Sequence, residues 1–248
     1  MKALLLGAGY ATRLYPLTRE RPKPLLPIGG VAIIQRICER IFPVPGVDRI
    51  YVVTNHRFAG HYYSWLRDYE DRKKAPIPIE IFDDLTNSPD DRLGAIGDID
   101  FVIRHAKVAD DLLVIAGDNL FEFPLQDFTA FAKKKRGSAV CVKDLGSRDL
   151  ASLYGVVEVD AKGRITDFEE KPPVPRSSLV AIGVYYYAKK HLPLCRQYLG
   201  EGNSRDAPGY YVQWLHQQVD LYAYPVEGEW YDIGDIDSYT KANELHLR

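Results

Sequence analysis

Apolar positions recur along this chain in two rhythms. Short runs rich in leucine, isoleucine and valine, at residues 3–6, 50–54, 77–82, 112–116 and 138–143, are bounded by turn residues and predict strands. Between them, apolar residues spaced three and four apart predict helices at 33–42, 58–69, 93–104 and 125–135. Strands that alternate with helices in this way predict an α/β fold with crossover connections. From residue 154 onward strand-like runs outnumber helices, at 154–159, 165–168, 180–187 and 221–224. Asp160, Lys162 and Gly163 form a hairpin signal between the first two, so a small antiparallel insertion is expected beside the parallel core. A closing helix at 236–245 would align Ile236, Tyr239, Ala242 and Leu245 on one face. No repeat or low-complexity linker interrupts the pattern, and residues 1–248 read as one domain.

Composition narrows the class. Hydrophobic residues are 46% and charged residues 27%, as in an ordinary globular protein. Thirty-two Lys and Arg against thirty-four Asp and Glu leave a net charge of −2, so no overall field attracts nucleic acid or a membrane surface. Any phosphate recognition must then be local. The basic run Lys133, Lys134, Lys135 and Arg136 ends a helix, where it complements the dipole and faces water. Cys38, Cys141 and Cys195 are far apart and lack metal-ligand spacing, which predicts a reducing, cytoplasmic setting. No apolar run reaches the roughly 20 residues of a membrane-spanning helix, and the opening apolar run is too short for a secretory signal.

Candidate chemistry starts at the first strand, which exits into Gly7, Ala8, Gly9, Tyr10, Ala11, Thr12, Arg13 and Leu14. Glycines at a strand exit let successive N–H groups converge on phosphate oxygens. The third glycine of a dinucleotide fingerprint is missing, which argues against a nicotinamide-dependent oxidoreductase. Lys23 lies between Pro22 and Pro24, an extended frame that gives its cation a set direction. Asp118 follows the strand at 112–116, at the sheet edge where open α/β folds bind ligands. Asp232 lies in the segment Trp230, Tyr231, Asp232, Ile233, Gly234. Each carboxylate could anchor a hard divalent cation, and each could equally be a turn or cap residue. Gly155 opens a strand, and Glu170 with Lys171 pairs a hydroxyl acceptor with a cation ahead of two prolines. His56 and His61 lack a third ligand and the i, i+4 spacing of a metal site.

In order, Gly7 to Leu14, the Lys-Pro-Leu-Leu-Pro segment from Lys23, Gly117 to Asn119, Tyr154 to Glu158, Glu170 to Pro172 and Trp230 to Gly234 resemble the signature segments of the sugar-1-phosphate nucleotidylyltransferases. That family of nucleotide-sugar pyrophosphorylases includes the glucose-1-phosphate thymidylyltransferases. The resemblance implies a Rossmann-like three-layer α/β/α nucleotide-diphospho-sugar transferase fold, its sheet mixed and mainly parallel. It implies a nucleotide-binding N-terminal half and a sugar-binding C-terminal half. It implies an enzyme that joins a nucleoside triphosphate, dTTP or UTP, to a sugar 1-phosphate such as glucose 1-phosphate, with Mg²⁺ as cofactor. Arg13 and Lys23 would be catalytic. Leu6, Gly7, Ala8, Gly9, Gly94 and Asp118 would bind the nucleotide. Gly155, Glu170 and Lys171 would bind the sugar phosphate, and Asp118 with Asp232 would hold the metal.

Ala11 stands where the family's second loop glycine is usual, and the region around Arg92, Leu93, Gly94 and Ala95 lacks the common base-reading glutamine. The hexapeptide repeats that build a C-terminal β-helix in some relatives are not expected. Neither nucleic acid nor membrane is an expected partner, and a homo-oligomer is compatible with the resemblance. The alternative is a non-catalytic relative that binds a nucleotide sugar and regulates another enzyme. Joint retention of Arg13, Lys23, Asp118 and Asp232 argues for catalysis.

Overall fold

A computed structural model describes residues 1–246 of the chain, the last as backbone only. Strand β1 (Lys2–Leu6) leads into a long loop with two short 3-10 turns, Thr12–Leu14 and Lys23–Leu25. A small ribbon, β2 (Pro27–Ile28) and β3 (Val31–Ala32), precedes α1 (Ile33–Ile41). Then follow β4 (Arg49–Thr54), α2 (His56–Lys73), β5 (Ile79–Asp83), α3 (Gly94–His105) and β6 (Leu112–Ala116). Next come β7 (Asn119–Phe121), α4 (Leu125–Lys135), β8 (Ser138–Asp144) and the single turn α5 (Arg148–Ala151). The remainder is β9 (Gly155–Val159), β10 (Ile165–Glu170), β11 (Leu179–Tyr187), α6 (Pro193–Gly200), α7 (Pro208–Gln218), β12 (Leu221–Pro225), β13 (Trp230–Asp232) and α8 (Ile236–His246).

In the main sheet β5, β4, β1 and β6 lie side by side and parallel, and β11 runs antiparallel against β6. On its other edge β11 pairs with β8, which carries β12 parallel to itself. The β9–β10 hairpin joins the start of β11, which makes it the expected antiparallel insertion. Its turn is closed by Asp160, whose carboxylate accepts from the N–H groups of Lys162 at 2.8 Å and Arg164 at 3.0 Å.

Alternate strand residues face opposite layers. Ala3, Leu5, Ile50, Val52, Leu113 and Ile115 pack with Ile33, Ile34 and Ile37 of α1, Phe58 and Tyr62 of α2, and Phe128 of α4. Leu4, Tyr51, Val53, Leu112 and Val114 face the other way, onto Ile96, Ile99 and Val102 of α3, Tyr198 of α6, and Tyr211 and Leu215 of α7. The fold is therefore a three-layer α/β/α sandwich of Rossmann-like type.

Helices α6 and α7 are absent from the sequence expectations. Pro193 and Pro208 sit in their first turns, where a missing N–H costs nothing, and these prolines were the available start signal. Strands β7 and β13 were also unforeseen. At three residues each they carry too little periodicity to be seen, yet they pair antiparallel and place Asn119 opposite Asp232. The three cysteines are buried and unpaired. Among the described residues no helix is long and apolar enough to cross a membrane.

Candidate active site

The chain leaves β1 for β4 and β5 on one side, then returns to place β6 on the other. The carboxyl ends of β1 and β6 are thus a topological switch point, where loops diverge and leave a crevice. A cleft of about 480 Å³ opens there, lined by Leu6, Gly7, Ala8, Gly9, Arg13, Lys23, Gly94, Asp118 and Lys171 among others. The fold thus brings nine of the expected site residues to one cavity.

The strand exit is held from behind. The Gly7 carbonyl accepts from the buried Tyr62 hydroxyl at 3.0 Å, and the Ala8 carbonyl from the Asn55 side chain at 2.8 Å. In a trans peptide the following N–H points opposite the carbonyl. The N–H groups of Ala8 and Gly9 therefore face away from Tyr62 and Asn55, toward the cleft. Asn55 also caps α2, accepting from the Phe58 N–H at 3.0 Å, so helix start and loop share one polar pin. Ala11 adopts the left-handed conformation, φ 47°, that its glycine counterpart would adopt freely. It tolerates this with its carbonyl bound to the Thr18 hydroxyl at 2.7 Å.

Lys23, whose side chain is 13% exposed, places its ammonium 2.8 Å from the Asp118 carboxylate and 3.0 Å from the Ile233 carbonyl. Ile233 N–H returns a bond to the Asp118 carbonyl at 3.1 Å. Beyond these bonds, Tyr239 and Asn243 of α8 hold the residue 27–29 turn, which fixes the loop that carries Lys23. Burial would raise the Asp118 carboxyl, but the adjacent Lys23 ammonium and then Arg13 hold it below the ordinary value. Asp232 goes the other way, pushed up to about 6 by burial and by the charge of Asp118. Arg13 is exposed, and its guanidinium lies within 4 Å of where a side chain on Gly234 would begin. Two neighbouring carboxylates whose negative charges oppose one another's ionisation, with cations beside them, suit a hard divalent ion. Among the described residues no set of three or more His, Cys, Asp or Glu gathers at a metal site. A cation here would complete its shell with phosphate and water oxygens. His56 instead pairs with Asp83 at 2.6 Å.

Gly155 and Glu170, paired in register across the hairpin, are not in the cleft wall; Lys171, next in sequence, is. A side chain on Gly155 would strike the Phe168 ring and approach the Glu170 carboxylate. Gly209, in the first turn of α7, is more crowded still, because a methyl there would collide with the Glu170 carboxylate. Burial raises the Glu170 carboxyl, and the Glu170 N–H is fixed to Gln213 of α7 at 3.0 Å. Gly209 was not among the sequence candidates, since it gains meaning only when α7 docks on β10.

The opposite wall was also missed. Asp84 and Asp98 line the cleft, each about 5% exposed. Asp84 accepts from both the N–H and the hydroxyl of Thr86 at 2.7 Å. Burial and the charge of Asp84 push the Asp98 carboxyl up to about 8. Gly94, at φ 77°, opens α3 against the Arg205 carbonyl, which would collide with any side chain there. The helix start is pinned as Ala95 and Ile96 donate to the carbonyls of Asp206 and Arg205 at 3.3 and 3.1 Å.

A glycine-containing strand exit, a lysine tied to a carboxylate and a second carboxylate thus gather at one switch point of an α/β fold. Comparison with known proteins makes the class specific: the family model described as "Nucleotidyl transferase" matches residues 2–248, and the chain belongs to that family. It is 30% identical to the bifunctional protein GlmU of Methanocaldococcus jannaschii, over 100% of this chain and 54% of that protein. It is 27% identical to glucose-1-phosphate adenylyltransferase of Thermotoga neapolitana, over 97% of this chain and 59% of that protein. The chain thus spans a little over half the length of these curated relatives. A solved UDP-glucose pyrophosphorylase complexed with UDP-glucose shares the fold, with TM-score 0.82, 22% identity, and 99% and 97% of the two chains covered.

Proposed function

We propose that the chain catalyses transfer of a nucleotidyl group from a nucleoside triphosphate to a sugar 1-phosphate, releasing pyrophosphate. The observation that carries this reading is the Lys23 ammonium, bound to Asp118 and to the Ile233 carbonyl in a cleft that Ala8 and Gly9 also line. An oxygen of the sugar 1-phosphate would attack the α-phosphorus while the bond to the bridging oxygen of pyrophosphate breaks. Both reactants are anions, so alignment and charge neutralisation dominate the barrier and no covalent intermediate is needed.

In this reading the Ala8 and Gly9 N–H groups and Arg13 hold the triphosphate, and Lys23 offsets charge growing on the α-phosphate. Glu170 takes sugar hydroxyls beside Gly155, and Lys171 takes the sugar phosphate. Asp118 and Asp232 would hold Mg²⁺, which supplies charge neutralisation and alignment of phosphate oxygens. The N-terminal half then serves the nucleotide and the C-terminal half the sugar. The names of the relatives support glucose 1-phosphate as the first sugar to test, and dTTP or UTP is the base expected from the sequence resemblance. Three buried, unpaired thiols support a cytoplasmic setting.

A matrix of ATP, GTP, CTP, UTP and dTTP against sugar 1-phosphates, with Mg²⁺ present and pyrophosphate release as readout, tests the reading. Release that requires both substrates is the expected result. No release from any pairing, with triphosphate still bound, would leave a binding protein instead.

A further inference from the structure

We infer that Asn119 and Trp230 are positioning residues for the carboxylate pair. The hydrogen bond between their side chains fixes the register of the β7–β13 ribbon, holds Asp232 beside Asp118, and so sets how strongly the two acids grip a divalent ion. This rests on the nucleotidyl-transfer reading, in which Asp118 and Asp232 hold Mg²⁺, and adds two residues that act through those acids.

The ribbon needs such a fastener. Strands β7 and β13 are three residues each and pair with one another as a ribbon separate from the main sheet. A two-stranded ribbon of that length is weakly held by its backbone alone. A slip of one residue would turn Asp232 to the opposite face. It would also break the bond from the Ile233 N–H to the Asp118 carbonyl and move the Ile233 carbonyl away from the Lys23 ammonium. Residues directly opposite share a face, as do alternate residues along a strand. Asn119, Asp232 and Trp230 therefore project on one side. Across the diagonal of that face, the Trp230 indole N–H donates to Asn119 Oδ1 at 2.9 Å.

Asn119 is tied in turn to the main sheet. It is 3% exposed, and because an indole N–H can only donate, the carboxamide oxygen faces Trp230. Its nitrogen is left to donate to the Gly183 carbonyl, 3.4 Å away on β11. Gly183 has φ 73° and lies where the pairing of β11 with β8 shifts register, between Ala181 and Tyr185. A side chain on Gly183 would strike the Asn119 amide, so glycine at this bulge leaves the room that the carboxamide fills. The indole is held as well, packed edge-on against the Tyr154 ring with centroids 5.3 Å apart. Three strands thus meet at one carboxamide, next in sequence to Asp118 and opposite Asp232. Groups that orient metal-binding side chains in this way typically change metal affinity by about ten- to a hundredfold when removed.

The test uses Mn²⁺ as the probe and compares triphosphate binding, by titration calorimetry without sugar phosphate, in Mn²⁺ and in EDTA. The unaltered enzyme should bind triphosphate more tightly with Mn²⁺. Trp230→Phe and Asn119→Ala should each weaken binding in Mn²⁺ by about tenfold or more, with binding in EDTA unchanged. The double variant should be no weaker than the weaker single, because both changes remove one bond. In pyrophosphate release, Trp230→Phe should need more Mg²⁺ for half-maximal rate and recover its kcat when Mg²⁺ saturates, whereas general damage would lower kcat at every concentration. An unchanged Mn²⁺ effect in the variants, or an equal loss in EDTA, overturns the positioning role while pyrophosphate release by the unaltered enzyme keeps the nucleotidyl-transfer reading. Absence of both triphosphate binding and release in the unaltered enzyme removes both. If Asn119→Ala does not fold, Trp230→Phe, which keeps a ring against Tyr154, decides the matter.

Discussion

Gly209→Ala should impair use of the sugar phosphate while leaving the fold and triphosphate binding intact. In the first turn of a helix an alanine is ordinarily favourable over glycine by about 1 kcal/mol. Here its methyl would occupy the space of the Glu170 carboxylate. That carboxylate is the free end of a flexible side chain, so it rotates aside at small cost, and net stability should change by less than about 1 kcal/mol. Function bears the loss. A hydrogen bond from a charged carboxylate to a sugar hydroxyl is worth about 1.5–3 kcal/mol, or roughly a ten- to hundredfold drop in kcat/KM.

The assay is initial-rate pyrophosphate release with varied sugar 1-phosphate at saturating triphosphate, beside a thermal melt. Because both substitutions remove the same contact, Glu170→Ala/Gly209→Ala should be no worse than Glu170→Ala alone. Unchanged sugar kinetics in Gly209→Ala, or fully additive losses in the double variant, would show that Glu170 does not act on the sugar.

Asp118→Asn and Asp232→Asn should each nearly abolish Mg²⁺-dependent turnover with the circular dichroism spectrum unchanged; near-normal activity in either would dissolve the shared-cation pair. Lys23→Ala should lower kcat by the equivalent of about 2–4 kcal/mol, and a change confined to KM would make Lys23 a binding residue only. Asp98 is raised from an ordinary 3.8 to about 8 in the fold, so ionising it opposes folding. The native state keeps it neutral up to about pH 8 while the unfolded chain ionises it above about pH 4, so its contribution is full below about pH 4 and is lost as pH climbs toward 8. Asp98→Asn lacks this titration, so its melting temperature should gain on the unaltered protein between pH 5 and pH 9. Parallel melting curves across that range would argue that Asp98 is not held in its neutral form.

Much of the scaffold is legible in the chain because burial imposes a period. The runs at 3–6, 50–54 and 112–116 are apolar without alternation because both faces of a central parallel strand are covered. Helix α4 falls where its spacing puts it, at Leu125–Lys135. Helices α6 and α7 escaped because a tyrosine-rich, proline-started segment reads as turn and strand when its packing face is unknown. The cleft divides in the same way. Arg13, Lys23, Asp118 and Lys171 stand out through local context, as cations and carboxylates beside glycines and prolines at strand ends. Asp84, Asp98 and Gly209 have no such context and look like ordinary loop or helix residues.

By itself, the order of residues determined an α/β sheet, the glycine-rich exit of β1 and the type of charge on each candidate side chain, since these depend on neighbours within a few positions. Tertiary structure alone decided which charges meet. Asp118 and Asp232 are 114 positions apart (232 − 118), and only the β7–β13 pairing brings them to one place. Lys23 lies beside Asp118 in a loop that α8 holds through Tyr239 and Asn243, and Asp98 comes to the cleft wall because α3 packs across β1 and β4. Each is a long-range contact set by the packing of whole elements, and residue spacing along a chain carries no measure of it.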